Sequence, residues 1–110
     1  MEWIPLTSEE QLAEINELST HQPVAIFKHS TRCSISGMVK SRLARETLPA
    51  NVVFYYLDLI QYRNLSNRIA EDYRITHESP QLLLIRDGKC VYHESHTAIS
   101  LANMEENLTI

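Results

Sequence analysis

Two kinds of apolar pattern run along the chain, and they predict its elements. Leu12, Ile15 and Leu18 recur at three-residue spacing behind Thr7-Ser8-Glu9-Glu10. This reads as a capping box, Thr7 capping the first turn and Glu10 reaching back, that opens a helix over residues 8–19. After the break at His21-Gln22-Pro23, the β-branched and aromatic run from Val24 to Lys28 predicts a buried strand. Beyond Cys33 the spacing turns helical again, with Ile35, Met38, Val39 and Leu43 on one face, Lys40, Arg42, Arg45 and Glu46 on the other, and Leu48-Pro49 as the stop. Val52 to Leu57 is almost continuously apolar, as a strand covered on both faces would be, which points to a central parallel strand. Strand, helix and strand therefore form a crossover unit.

Tyr62, Leu65, Ile69 and Tyr73 mark one face of a third helix over residues 61–73, with Arg63, Arg68, Glu71 and Asp72 elsewhere on it. The loop Arg74 to Ser79 leads to Pro80. Gln81–Arg86, Asp87-Gly88 and Lys89–His93 then spell a hairpin, because Asp-Gly suits the positive φ angles of a two-residue turn. Thr97 or Ser100 starts a last helix with Ala98, Leu101, Ala102 and Leu108 facing inward. Residues 2–6 can add an edge strand. The expected fold is α/β, a central mixed sheet of four or five strands with helices on both faces, forming a single domain over residues 1–110.

Composition narrows the function. A net charge of −4 without clustered Lys and Arg argues against nucleic acid as a partner. No apolar run is long enough to span a bilayer, and Met1-Glu2-Trp3-Ile4-Pro5 has neither the basic region nor the apolar core of a signal peptide. The expected compartment is the cytoplasm, where Cys33 and Cys90 are thiols or redox centres rather than a structural bridge. No Gly-rich phosphate loop, Ser-His-Asp set or dinucleotide fingerprint is present, so no bound cofactor is expected. His93 and His96 leave a strand without a third or fourth ligand nearby, and no metal site is expected.

Cys33 is the candidate nucleophile. At the junction of strand and helix the unpaired N–H groups of the first turn, the helix dipole and Arg32 all favour the thiolate that disulfide exchange requires. The alternative is an inert buried cysteine. Arg32, Lys28 and Lys40 either attract the carboxylates of an anionic thiol or are solvated surface charges. His29 and His77 flank the site and can tune it. Cys90 reads as a small half-buried core residue.

Three features together resemble the thioredoxin superfamily over nearly the whole chain. They are a cysteine heading the helix after the first core strand, a proline just before a hairpin, and the turn Asp87-Gly88-Lys89. More narrowly, Lys28-His29-Ser30-Thr31-Arg32-Cys33-Ser34-Ile35-Ser36 resembles the active-site loop of the monothiol bacilliredoxins, in which a Thr precedes Cys-Pro-Ile-Ser. The chain departs at Ser34, where Pro is usual, a change that bears on redox potential and partner choice more than on reaction class.

The resemblance implies a thioredoxin-like fold and a monothiol disulfide oxidoreductase that removes bacillithiol from protein mixed disulfides. Cys33 and Ser36 would be its catalytic pair, Ser36 standing where dithiol relatives carry a resolving cysteine and free to donate to the Cys33 sulfur. Thr31, Arg32, Ser34, Ser79 and a cis Pro80 would meet the substrate. It further implies bacillithiol, or another small thiol, as co-substrate and S-thiolated proteins as partners of a monomer, with neither nucleic acid nor membrane involved. Two alternatives stay open. One is a glutaredoxin-like iron–sulfur or thiol-binding module, although the Cys-Gly-Phe-Ser motif of those proteins is missing. The other is a stress or adaptor protein that keeps the fold with an unreactive cysteine.

Overall fold

A computed structural model describes residues 3–46, 49 and 51–108. The elements are β1 (Ile4–Pro5), α1 (Glu10–Leu18), β2 (Val24–His29), α2 (Ser34–Ala44), β3 (Val53–Asp58), α3 (Arg63–Asp72), β4 (Gln81–Arg86), β5 (Lys89–Ser95), a 3₁₀ turn (His96–Ala98) and α4 (Leu101–Glu105). The strands form one sheet in the order β1-β3-β2-β4-β5. β3 runs parallel to β1 and β2, whereas β4 is antiparallel to β2 and β5. The expected mixed sheet is present, and Ile4–Pro5 is its fifth strand. Glu2, also proposed for that strand, and Leu48, proposed as a helix stop, lie outside the described residues.

Side-chain alternation divides the interior into two cores. Val24, Ile26, Tyr55, Leu57, Leu83 and Ile85 point to one face, where Leu12 and Ile15 of α1 and Leu65 and Ile69 of α3 cover them. Ala25, Phe27, Phe54, Leu82 and Leu84 point to the other, under Val39 and Leu43 of α2 and Leu101 and Met104 of α4. β2 and β4 are thus buried on both faces, which is why their sequences read as continuous apolar runs. The hairpin turn takes the positive φ values expected of Asp-Gly, 52° at Asp87 and 72° at Gly88. Among the described residues no helix is long and apolar enough to cross a membrane.

Several local expectations are corrected. Glu10 does not reach back to close a capping box at Thr7. The α1 N-cap is Glu9 with no side-chain cap, and Gln11 does the tying instead. Its Oε1 accepts from the backbone N–H of Thr7 at 2.7 Å and Ser8 at 3.1 Å, while its Nε2 donates to Pro5 O at 2.9 Å. An amide can both accept and donate, which a carboxylate cannot. On α2, Ile35 and Met38 are 44% and 54% exposed, and the inward stripe is Ser36, Val39 and Leu43. α2 ends at Ala44, before the expected stop. Ala98 and Ala102 face out, leaving Leu101 and Met104 as the buried pair of α4, whose cap is Ser100, accepting from Asn103 N–H.

Candidate active site

β2 ends at His29, and Ser30 to Arg32 turn the chain so that Cys33 becomes the N-cap of α2 in an extended conformation, φ −111° and ψ 122°. Cys33 N–H donates back to Ser30 O at 3.2 Å, and the Cys33 carbonyl accepts the first helical bond, from Gly37 N–H at 3.0 Å. The amides before Gly37 belong to the unpaired first turn, which is the electropositive end of the helix. Cys33 is a free, half-buried cysteine, and Thr31, Arg32, Ser34 and Ile35 around it are exposed. A sulfur placed this way can be reached from solvent.

Ser36 is completely buried beneath this turn. Its Oγ lies 2.7 Å from His29 Nδ1 and accepts from Ser30 N–H at 3.0 Å. The hydroxyl is thereby engaged with the end of β2, and no hydrogen bond joins it to the Cys33 sulfur, contrary to the contact expected above. His29 is no surface histidine either. It is 5% exposed, with its ring stacked on Phe27 and tilted against Tyr56. Burial, and then the Lys40 ammonium, push its pKa below the ordinary histidine value, against the opposing pull of Asp58 and of a hydrogen bond to the Ser36 backbone. The imidazole beneath the turn is therefore neutral near pH 7.

Ser79-Pro80 is a cis peptide bond, as the resemblance implied. Pro80 is buried, its carbonyl accepts from His96 N–H at 3.0 Å, and the Ser79 hydroxyl is buried with no partner. The β2–β4 register pairs Lys28 with Gln81. Pro80 therefore stands level with His29, at the same end of the sheet as the loop that carries Cys33. Cys90 does not join them. It pairs with Ile85, which is opposite Val24 at the other end of β2, five residues or about 17 Å along the strands. Burial pushes its thiol up, and its sulfur donates to Tyr92 O at 3.3 Å.

The charges distribute unexpectedly. Arg32 is exposed beside Cys33, and Lys40 stands 5.0 Å over the Tyr56 ring, beside a cleft also lined by Trp3 and Phe27. Lys28 is neither a surface charge nor available to a substrate, being 0% exposed. Its Nζ donates to Ser66 O of α3 at 3.1 Å and lies 3.3 Å from His77 Nδ1. Burial lowers its pKa to about 8. The only hint in the sequence was a lysine inside an otherwise apolar strand. Among the described residues no three His, Cys, Asp or Glu side chains converge as metal ligands.

The family model of monothiol bacilliredoxin BrxC matches residues 4–104. Among solved structures, a thioredoxin-fold protein provisionally described as an oxidoreductase is 29% identical, with a TM-score of 0.81 over 94% of this chain and 91% of its own. Thioredoxin from Malassezia sympodialis, 15% identical, gives a TM-score of 0.71 over 98% of this chain and 89% of its own. Thioredoxin f from spinach chloroplast, 13% identical, gives 0.71 over 98% and 91%. The two thioredoxins, at such low identity, speak to the fold alone.

Proposed function

The chain belongs to the monothiol bacilliredoxin family, and from that premise we propose that it removes bacillithiol from protein mixed disulfides in the cytosol. The family and the thioredoxin-fold neighbour support a thiol redox role, and the finer reading rests on the site. The observation that carries it is a reachable Cys33 capping α2 with a serine, not a second thiol, three residues on.

In this reading the Cys33 thiolate attacks the bacillithiol sulfur of the mixed disulfide. The bond from Cys33 to that sulfur forms as the bond to the client sulfur breaks. The client leaves as a thiolate and takes a proton from water, and no net oxidation occurs. Ser36 cannot then displace the adduct, so a second small thiol attacks the adduct's own sulfur; the bond from that sulfur to Cys33 breaks as the new one forms, leaving the Cys33 thiolate and a symmetric small disulfide. Thr31, Arg32, Ser34, Ser79 and Pro80 border the place where the client would lie. S-thiolated proteins are thus the partners, bacillithiol is the co-substrate, and the protein works as a monomer.

The test is to mix purified protein with a bacillithiolated client and read intact masses. Wild type is expected to gain one bacillithiol on Cys33 while the client loses it, and Cys33→Ser to gain none. Absence of transfer to wild type, or equal transfer to Cys33→Ser, refutes the reading.

A further inference from the structure

Lys28 takes no part in the exchange step, yet among the described residues it is the one buried Lys or Arg. No carboxylate pairs with it among those residues, so its ammonium is held by neutral groups only, an arrangement that costs stability. Those groups are Ser66 O of α3 and Nδ1 of His77, and Ser66 Oγ also lies 3.3 Å from that nitrogen. His77 belongs to the irregular segment 74–79 that leads to Pro80.

Other ties hold the same segment. Gln81 Nε2 donates to Thr76 O at 3.0 Å, Ile75 N–H to Ala70 O at 3.1 Å, and Ser95 Oγ to Glu78 Oε1 at 3.0 Å. These ties come from β4, α3 and β5. Lys28 alone comes from β2, five residues before Cys33.

We propose that Lys28 and His77 act together as positioning residues, tying the segment before Pro80 to the strand that carries Cys33 and so fixing the edge along which an extended client polypeptide lies. The proposal rests on the reading of the chain as a protein-disulfide exchanger and names what would select a protein over a bare small disulfide. The tie has a pH limit. His77 Nδ1 accepts from the ammonium only while unprotonated, and protonation would set two cations 3.3 Å apart. Burial, Lys28 and Arg63 of α3 all resist that protonation, and Glu78 opposes them. Glu78 itself accepts from Ser95 and lies 3.9 Å from His96.

The experiment compares wild type, His77→Leu, His77→Asn and Lys28→Met on two substrates. One is a bacillithiolated protein; the other is a mixed disulfide of bacillithiol with a small aromatic thiol. In His77→Leu and Lys28→Met the ratio of kcat/KM for the protein over the small substrate should fall about tenfold, chiefly through KM. His77→Asn keeps an acceptor for the ammonium but has no ring to protonate. It should restore the ratio near neutral pH and remove the acid fall in the protein-substrate profile. Amide exchange at Thr76 to Ser79 should quicken in His77→Leu and not in His77→Asn.

A His77→Leu protein with the wild-type ratio and wild-type amide exchange overturns the proposal. Because His77 is a loop residue outside the core, its ring only partly withdrawn from solvent, that variant decides the matter even if Lys28→Met does not fold. Failure of wild type on both substrates would sink the functional reading, while the amide-exchange comparison would still decide the tie.

Discussion

A lysine without a counter-ion in the middle of a sheet has a stability cost that can be read from its proton affinity. Holding Lys28 at about 8 instead of 10.5 means that the folded protein resists the ammonium by about 3 kcal/mol relative to the unfolded chain. Lys28→Met, close in length and without charge, should therefore stabilise the fold at pH 7 by about 1–2 kcal/mol, less than the full amount because Ser66 O and His77 lose a donor. Urea denaturation checks this, and a variant less stable than wild type would show that the ammonium's hydrogen bonds outweigh its desolvation. Neither partner was legible in the sequence. Ser66 lies 38 positions away and gives a backbone oxygen, and a charge near the end of a strand ordinarily emerges into solvent. Ser36 was hidden for a similar reason: a serine in a first helical turn looks like a cap, and only the sheet beneath shows that it bonds His29.

At the level of elements, α2 shows where periodicity suffices and where it fails. Spacing located the helix and two of its buried residues, Val39 and Leu43. It also enlisted Ile35 and Met38, because an apolar residue counts equally wherever it points. The stripe that packs is 36, 39 and 43, so one buried turn is given to a serine that the β2 terminus requires, and two apolar side chains are left outside near Cys33. Leu43→Ala should cost about 2–5 kcal/mol, whereas Met38→Ser should change stability by less than about 0.5 kcal/mol. Thermal or urea unfolding of both variants checks the contrast, and a large loss in Met38→Ser would mean that the outward face packs after all. The hairpin carries a second lesson. The Asp87-Gly88 turn was readable, but the register shift between Leu84 and Ile85 leaves Val91 opposite no residue. Cys90 and Tyr92 therefore face opposite cores, where strict alternation would put them on one face.

For the molecule as a whole, the apolar runs and the turn chemistry were enough to read the layered α/β architecture. The run expected to be covered on both faces, Val52 to Leu57, instead supplies β3, next to the edge strand and partly exposed at Val53 and Tyr56, while β2 and β4 are the strands buried on both faces. What could not be read is how the sheet distributes ionisable groups, and this sets the pH response. His29 and His77 are both held below the ordinary histidine value, chiefly by burial. Below about pH 6.5 the unfolded chain then binds protons that the folded chain refuses, and stability is lost as pH falls. Lys28 has the same sign at higher pH. Between about 8 and 10.5 the unfolded lysine is still protonated while the folded one is not, so stability rises with pH over that window. Cys90 and the tyrosines oppose it. Burial raises the Cys90 thiol, so above about pH 9 the unfolded chain releases a proton that the folded chain keeps. Burial pushes Tyr73 up to about 12 and also raises Tyr55, Tyr56 and Tyr92, so above about pH 10 the unfolded chain releases protons that the folded chain keeps, and stability falls. The expected profile climbs to about pH 6.5, stays level, climbs again above about 8, flattens above about 9 where Cys90 offsets Lys28, and turns down above about 10. Urea midpoints across that range check it. Lys28→Met should lose the alkaline rise and keep the acid loss in part, through His29 and the remaining desolvation of His77, and a variant that retained the rise would place its origin in a group other than the buried ammonium.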